Sequence, residues 1–163
     1  QKSLGAHHFR TRTRITKVHS AVAFWITGRK LVRLAGLQEL GTPEEREAAR
    51  NWVEAQVLDK DVRYEHCTPA TDAKGTPLCY IWLGPERKDM LNIMLLDQGF
   101  AEPDPTLHHA LADDFRNVFA NHQKRKAEAA AARAEQEKQQ GAEPPKQQET
   151  DAPKQQEPPE PAD

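Results

Sequence analysis

Apolar residues that could form a hydrophobic core stop near residue 123. Residues 124–140 are almost entirely Ala, Glu, Lys, Arg and Gln, which favour a helix but leave it nothing to bury. Residues 141–163 are rich in Pro, Gln and Glu, and the motif PKQQE occurs twice, from Pro145 and from Pro153. Such a segment cannot offset its ordering entropy by burial. A folded domain must therefore lie within residues 1–123, and we expect the tail to be disordered in isolation.

The charge divides along the same line. Residues 1–126 carry 19 Lys and Arg against 16 Asp and Glu, a net charge of +3, whereas residues 127–163 carry 4 against 9, a net charge of −5. A body so weakly basic does not resemble a dedicated nucleic-acid binder. We hypothesise that the acidic tail lies over neighbouring subunits of a larger assembly. No apolar run approaches the roughly 20 residues that span a bilayer, so no transmembrane segment is predicted.

The first fourteen residues are basic and contain no acid. Their charged side chains are Lys2, Arg10, Arg12 and Arg14. This composition is typical of the edge of a processed organellar presequence, which predicts a mitochondrial location. The alternative is a solvated basic arm on a protein that is otherwise intracellular and soluble.

Strand signals occupy the first part of the body. Residues 12–37 are rich in β-branched and aromatic side chains, and a Gly-containing turn at Thr27–Lys30 divides them, which predicts two or three strands. A helix then begins with a capping box and ends near Asp59. The residues that mark its start are Thr42, Pro43 and Glu45.

The second half of the body continues with strands at residues 62–67 and 78–83, joined by a turn-rich loop at 68–77. In the first of these strands, Val62, Tyr64 and His66 alternate with Arg63, Glu65 and Cys67. A short helix at residues 90–96 ends near Gly99. A further helix after Pro105 is predicted from one apolar stripe, formed by Leu107, Leu111, Phe115, Val118 and Phe119.

This order predicts a mainly β fold with α elements, namely a five-stranded Greek-key barrel of the OB type with an inserted helix and a C-terminal helical extension. The predicted parts are a basic arm at 1–11, the barrel at 12–101, a helix packed on the barrel at 102–123, a charged helical extension at 124–140 and a low-complexity tail at 141–163.

Several blocks in this order resemble the staphylococcal nuclease family. They are LVRLAGL at 31–37, the helix pattern from Glu47 to Val53, LDKDVRYE at 58–65, DAKGTPLCYIW at 72–82 and MLLDQGFA at 94–101. Together they extend the resemblance over residues 12–101, and the family fold is an OB barrel. The family hydrolyses nucleic acids with a carboxylate-bound Ca²⁺, a Glu general base and two arginines on the phosphate, because a hard cation needs several oxygen ligands and the transition state needs cationic donors.

The resemblance implies that most of this chemistry is lost. One family arginine matches Arg33, but the second falls on Thr76. The first metal-binding Asp falls within residues 18–22, near Ala21, and the second falls on Gln38. The general base falls on Gly41 by direct count, or on Glu39 if two residues are deleted. The chain has no Asp before Asp59, so we predict a non-catalytic pseudoenzyme with no catalytic residues, metal or cofactor.

The remaining candidate residues allow other chemistry. His66, Cys67 and Cys79 lie in adjacent predicted strands and could hold a metal ion, or the two cysteines could form a disulfide. The simpler interpretation is that all three are half-buried strand residues. Arg33 could bind an anion or a partner's carboxylate, or it could extend over the barrel rim to solvent.

The sequence is compatible with three functions. The first is a structural accessory subunit of a large protein complex, mitochondrial on the evidence of the N-terminus, with contact to RNA as an option. The second is an OB module that binds nucleic acid without cleavage, for example in a ribosomal particle, with Phe24, Trp25 and Trp82 stacking on bases. Its phosphate contacts would be Arg10, Arg12, Arg14 and Arg33. The third is an active Ca²⁺-dependent nuclease with a rearranged metal site.

Overall fold

The computed structural model describes residues 10–141. Five strands close a barrel: β1 (Thr11–Ser20), β2 (Ala23–Ile26), β3 (Lys30–Leu34), β5 (Asp61–Thr71) and β6 (Pro77–Trp82). Two short strands, β4 (Leu37–Glu39) and β7 (Ala101–Pro103), form a separate sheet. The helices are α1 (Pro43–Val57), α2 (Leu91–Gln98) and α3 (Ala112–Gln140), with a 3₁₀ turn at Arg87–Asp89.

The barrel strands follow the order β1-β2-β3-β6-β5, and β1 pairs with β5 to close the barrel. Every neighbouring pair is antiparallel except β3 and β6, which run parallel over two residue pairs, Arg33 with Leu78 and Leu34 with Cys79. This is the strand order of an OB barrel, and α1 lies between its third and fourth strands. The predicted fold class is therefore confirmed.

A buried asparagine stabilises the short parallel seam between β3 and β6. The amide nitrogen of Asn92, on α2, donates to the carbonyls of Ala35 at 3.1 Å and Cys79 at 3.4 Å. Its amide oxygen accepts from the backbone N–H of Ile81 at 3.2 Å. Because Asn92 is fully buried, its amide supplies hydrogen-bond partners to backbone groups of the seam inside the core, in addition to the bond from the Ala35 N–H to the Cys79 carbonyl at 2.8 Å.

Helix α1 begins as predicted. The Thr42 hydroxyl accepts from the backbone N–H of Glu45 at 3.3 Å, and the Glu45 carboxylate accepts from the backbone N–H of Thr42 at 2.7 Å. The helix turns one apolar stripe towards the core, formed by the buried residues Ala49, Val53 and Val57. At its C-terminal end, the backbone N–H of Asp59 donates to the Ile15 carbonyl of β1.

Two predictions about β5 are corrected. The strand continues to Thr71 instead of ending at Cys67, so the loop before β6 is shorter than expected. The predicted alternation of Val62, Tyr64 and His66 also fails beyond Tyr64, because Glu65 is buried and His66 is exposed. The outer face is covered at Glu65, whose carboxylate accepts from the Trp82 indole N–H and lies 3.4 Å from Arg10, so a strict inside–outside pattern is lost.

The C-terminal extension is also corrected. Helix α3 begins at Ala112, and Leu107 and Leu111 pack against the core from an irregular segment before it. The docked part of α3 reaches beyond residue 123, because Arg125 donates to the carbonyl of Asp97 at 3.2 Å and forms an ion pair with the Asp97 side chain at 2.6 Å.

The chain divides into two compact units, residues 1–128 and 129–163. In the described part of the second unit, the side chains of residues 129–141 are all exposed, which matches the predicted charged helix. The predictions for the arm at residues 1–9 and for the tail at 142–163 lie outside the described residues. Within residues 10–141, no helix combines the length and apolarity needed to cross a membrane.

Candidate functional site

Arg33, which the resemblance matches to an arginine of the nuclease family, lines a pocket of about 300 Å³ between β3 and the segments that follow β5 and β7. Arg33 enters it from β3, Asp72 from the end of β5, and Asp104 from the residues after β7. Thr106 and Leu107 complete the wall on the side of the C-terminal extension. The topology thus brings one cation and two carboxylates together from distant parts of the sequence.

The charges of this pocket are paired within the chain. The Arg33 guanidinium lies 3.6 Å from the Asp72 carboxylate and donates to the Leu37 carbonyl at 3.4 Å. Burial would raise the pKa of Asp104, but hydrogen bonds from Thr106 and the nearby charge of Arg33 hold that pKa below its usual value. Arg33 therefore does not extend freely to solvent, and its guanidinium is already paired with a carboxylate of the same chain.

The positions that the family resemblance assigns to metal binding lie elsewhere in the fold. Ala21 is 1% exposed and belongs to the apolar core. Gln38, on β4, donates from its side-chain amide to the Glu102 carboxylate on β7 at 2.6 Å. These contacts commit both positions to packing and strand pairing.

The residues at the general-base and second-arginine positions also have structural roles. Gly41 has φ +87°, and a β-carbon there would overlap the Glu45 carboxylate of the α1 capping box. Thr76 donates its backbone N–H to the Asp72 carboxylate at 2.9 Å, which closes the turn before β6. Glu39, the other candidate for the base, is exposed at the end of β4.

The alternative His/Cys metal site is not formed. In the described chain, residues 10–141, no group of three or more His, Cys, Asp or Glu side chains is placed to hold a metal ion. The register pairs His66 with Cys79, so Cys67, one residue along, lies on the opposite face of the sheet.

The same geometry rules out the alternative disulfide, and both thiols are free and buried. The Cys79 thiol donates to the Arg33 carbonyl inside the barrel at 3.4 Å, whereas the Cys67 thiol donates to the Tyr80 hydroxyl on the outer face at 3.4 Å. Burial raises the pKa of both thiols.

The aromatic residues predicted to stack on bases are mostly unavailable. Phe24 is fully buried in the core, and Trp82 is 7% exposed. The Arg10 guanidinium covers the Trp82 ring at 3.4 Å from its centroid, and the Trp82 indole N–H donates to the Glu65 carboxylate at 2.7 Å. Trp25 alone keeps a half-exposed ring, so no row of stacking aromatics is formed.

Three of the four predicted phosphate-binding arginines lie together, and the fourth does not. Arg10 immediately precedes β1, and Arg12 and Arg14 follow at every second residue within it, which places the three on one face of the barrel, while Arg33 lies in the separate pocket described above. A fourth arginine joins the β1 group, because the register sets Arg63 of β5 directly opposite Arg12. We name Arg10, Arg12, Arg14 and Arg63 the arginine face.

A cavity of about 420 Å³ opens on the arginine face. It is lined by Arg10, Arg12, Arg63, Asp61, Val62, Trp82, Leu83, Gly84 and Pro85. Asp61 forms ion pairs with both Arg12 and Arg14, and hydrogen bonds first from Arg12 and then from Arg14 hold the pKa of Asp61 below its usual value. Arg63 is exposed and forms no ion pair with any other residue in the range 10–141.

Sequence analysis missed Arg63 because its neighbour depends on the register between β1 and β5. The alternating pattern of residues 62–67 indicated that Arg63 and Val62 face opposite sides of a strand, but nothing in the pattern indicated that Arg12 would lie across from Arg63.

No protein-family model and no curated protein matches the chain. Fold and site together define a closed OB-type barrel with one self-paired polar pocket and one basic outer face.

Proposed function

We propose that the chain is a degenerate staphylococcal-nuclease-like barrel without catalytic activity that serves as a structural accessory subunit of a larger protein assembly. The observation that carries this proposal is the ion pair between Arg33 and Asp72. The arginine that a nuclease would direct at phosphate is here held by a carboxylate of its own chain. The acid-free basic composition of residues 1–14 supports a mitochondrial complex as the location.

The physical requirements of phosphodiester hydrolysis also argue against catalysis by this barrel. A Ca²⁺ ion needs several oxygen ligands, and the pentavalent transition state needs cationic donors already in place. At the matching positions the barrel offers the buried apolar Ala21, an amide at Gln38 that is bonded to Glu102, and a neutral Thr76. A site built from these groups lacks the carboxylate ligands that would hold the ion and lacks the second cationic donor.

A direct assay tests the absence of catalysis. We expect the full chain, incubated with single-stranded DNA and Ca²⁺, to release no more product than its Arg33→Ala variant. Arg46→Ala is the matched control, since Arg46 is an exposed arginine on α1. Turnover that survives in Arg46→Ala and disappears in Arg33→Ala would show an active nuclease with a rearranged site.

Affinity purification of the tagged protein from mitochondria, with and without nuclease treatment, tests the accessory role. We expect one stoichiometric set of proteins, identified by mass spectrometry, to survive nuclease treatment. Loss of every partner after RNA or DNA digestion would contradict it. Absence of the tagged protein from isolated mitochondria would contradict the location alone.

The second candidate function is nucleic-acid binding without cleavage, and the arginine face is the observation that favours it. Phosphates could lie along the cations of β1. Against it, the Trp82 ring is covered by Arg10 and Phe24 is buried, so bases would find little to stack on. A steep loss of oligonucleotide affinity with rising salt would support this candidate over the accessory role.

A further inference from the structure

The arginine face contains a pair of like charges that does not stabilise the fold. Arg12 and Arg63 are directly opposite each other in the antiparallel ladder of β1 and β5, where facing side chains are in contact range and like charges destabilise the sheet. Resting on the proposed function, we infer that the arginine face is the docking site for an acidic segment of a protein partner, an extended peptide that presents Asp and Glu carboxylates.

The internal acids do not neutralise this surface. The four arginines face two carboxylates, Asp61 and Glu65, which leaves a net charge of +2. Asp61 is shared between Arg12 and Arg14, and Glu65 lies 3.4 Å from Arg10. Arg63 adds a fourth guanidinium with no acid of its own within residues 10–141. Asp61 compensates Arg12 but Arg63 has no such ion pair within that range, and a local pairing rule broken in this way points to a functional surface.

The shape of the surface fits side-chain carboxylates. The cavity of about 420 Å³ is bordered by Arg10, Arg12 and Arg63, so a carboxylate entering it meets planar guanidinium groups that bind carboxylates in a bidentate manner. On the other side of Arg12 lies an open groove of about 600 Å³. Its lining is Arg12, Thr13, Arg14, Thr16, Thr27 and Asp61.

The backbone beside the groove is suited to an extended chain. Thr11–Thr13 of β1 pair with β5 on one side, whereas the pairing of β1 with β2 begins only at Ile15. No other strand among residues 10–141 borders Thr11–Thr13 on the side towards β2. An open strand edge offers backbone donors and acceptors to an incoming peptide, which is how β-strand addition works.

These features favour an acidic peptide over a nucleic acid. A single strand of RNA or DNA gains much of its affinity by stacking bases on aromatic rings, and here the Trp82 ring is covered by Arg10. A nucleic acid also lacks the amide groups that a strand edge pairs with.

Fluorescence anisotropy with the full chain tests the inference. The probe is a labelled peptide of alternating Glu and Thr with four carboxylate side chains. A labelled oligothymidylate with four phosphates is measured separately for comparison. We expect the peptide to bind more tightly than the oligothymidylate, and its affinity to fall several-fold between 50 and 200 mM NaCl.

The test variant is Arg12→Gln with Arg63→Gln, and the matched control is Arg46→Gln with Arg133→Gln, which removes the same charge from exposed helix positions. We expect the test variant to lose about tenfold or more in peptide affinity and the control to lose less than twofold. The test variant loses the like-charge pair but also the exposed ion pair between Arg12 and Asp61, so its melting temperature should change little.

Three results would overturn the inference. They are unchanged peptide affinity in the test variant, an equal loss in the control variant, or tighter binding of the oligothymidylate than of the peptide. Co-purification separates this inference from the accessory role. If the test variant retains every nuclease-resistant partner, the docking site is wrong and the accessory role stands, whereas the absence of such partners from the wild-type chain refutes the accessory role itself.

Discussion

The Tyr80 hydroxyl on β6 lies 2.8 Å from Nδ1 of His109 in the segment that precedes α3. The same hydroxyl accepts from the Cys67 thiol on β5 at 3.4 Å, and the Phe115 ring packs edge-on against His109 with centroids 4.9 Å apart. A half-buried polar chain therefore joins two barrel strands to the C-terminal extension. Four predictions concern the contacts around this chain and the barrel seam.

Removing the Tyr80 hydroxyl should destabilise the protein. Tyr80→Phe leaves the Cys67 thiol and the His109 ring without their shared partner, and we expect a loss of about 1–2 kcal/mol in the free energy of unfolding. Tyr64→Phe is the matched control, because the Tyr64 hydroxyl makes only a 3.3 Å contact with the exposed His66. Urea unfolding of the two variants checks this, and equal losses would contradict a special role for Tyr80.

Stability should decrease as the pH falls below 6.5. Burial, and then the charge of Arg116, lower the pKa of His109 from its usual 6.5, with Asp104 acting in the opposite direction. The folded protein therefore takes up this proton less readily than the unfolded chain does. The contribution of neutral His109 is fully present above pH 6.5 and is lost as the pH falls from 6.5 through the lower pKa of the folded state.

Urea unfolding at pH 7.5 and 5.5 measures this effect. Replacing the histidine, as in His109→Asn, should reduce the difference in unfolding free energy between the two pH values. His108→Asn changes the exposed neighbour and should leave that difference as it is in the wild-type chain. A His109→Asn variant with the full wild-type pH dependence would assign the effect to another group.

Gly36 should tolerate alanine much less than Gly28 does. Both have positive φ, +71° and +86°, so each substitution carries a backbone cost of about 1 kcal/mol. At Gly36 the added methyl group would also overlap the His109 imidazole, whereas at Gly28 it would meet open space. Thermal unfolding should show the larger loss for Gly36→Ala, and His109→Ala should recover part of it in the double variant. No recovery would show that the clash is not with His109.

Asn92→Leu should be among the most destabilising single changes in the barrel. The leucine has a similar size but leaves the carbonyl of Ala35 and the N–H of Ile81 without their buried amide partner, while the Cys79 carbonyl keeps its bond from the Ala35 N–H. We expect a loss of about 3 kcal/mol or more in the free energy of unfolding. Asn51→Leu, at an exposed position on α1, is the control and should change stability little. A mild effect of Asn92→Leu would mean that the seam closes without the asparagine.

Local signals sufficed for much of the fold. The capping box of Thr42 and Glu45 and the end of α2 at Gly99 were predicted from a few adjacent residues, because caps and turns depend on short-range hydrogen bonds and backbone conformations. The end of β5 and the start of α3 were not predicted correctly, because both depend on the residues that pack against them in the tertiary structure. Leu107 and Leu111 have helical spacing with Phe115, yet tertiary packing holds them in an irregular segment before the helix.

In the candidate site, too, individual residues could be singled out from the sequence, whereas their neighbours in space could not. Sequence matching placed Arg33 at a family position, but not its pairing with Asp72, which is 39 positions away in the chain and reaches Arg33 only through the β5–β6 hairpin. It likewise grouped Arg33 with the arginines of β1, which the barrel separates. Such neighbours depend on barrel closure and cannot be deduced from residues close in sequence.

By itself the sequence determined that a small β barrel with an inserted helix would form, where its helices are capped, and that apolar burial ends near residue 123, because periodicity and turn chemistry are local properties. Only the tertiary structure decided that Arg12 faces Arg63, that Asp72 holds Arg33, and that Cys67 and Cys79 lie on opposite faces of one sheet. Strand register fixes these relationships, and a shift of one residue would reverse every face, so they follow from how the whole core packs.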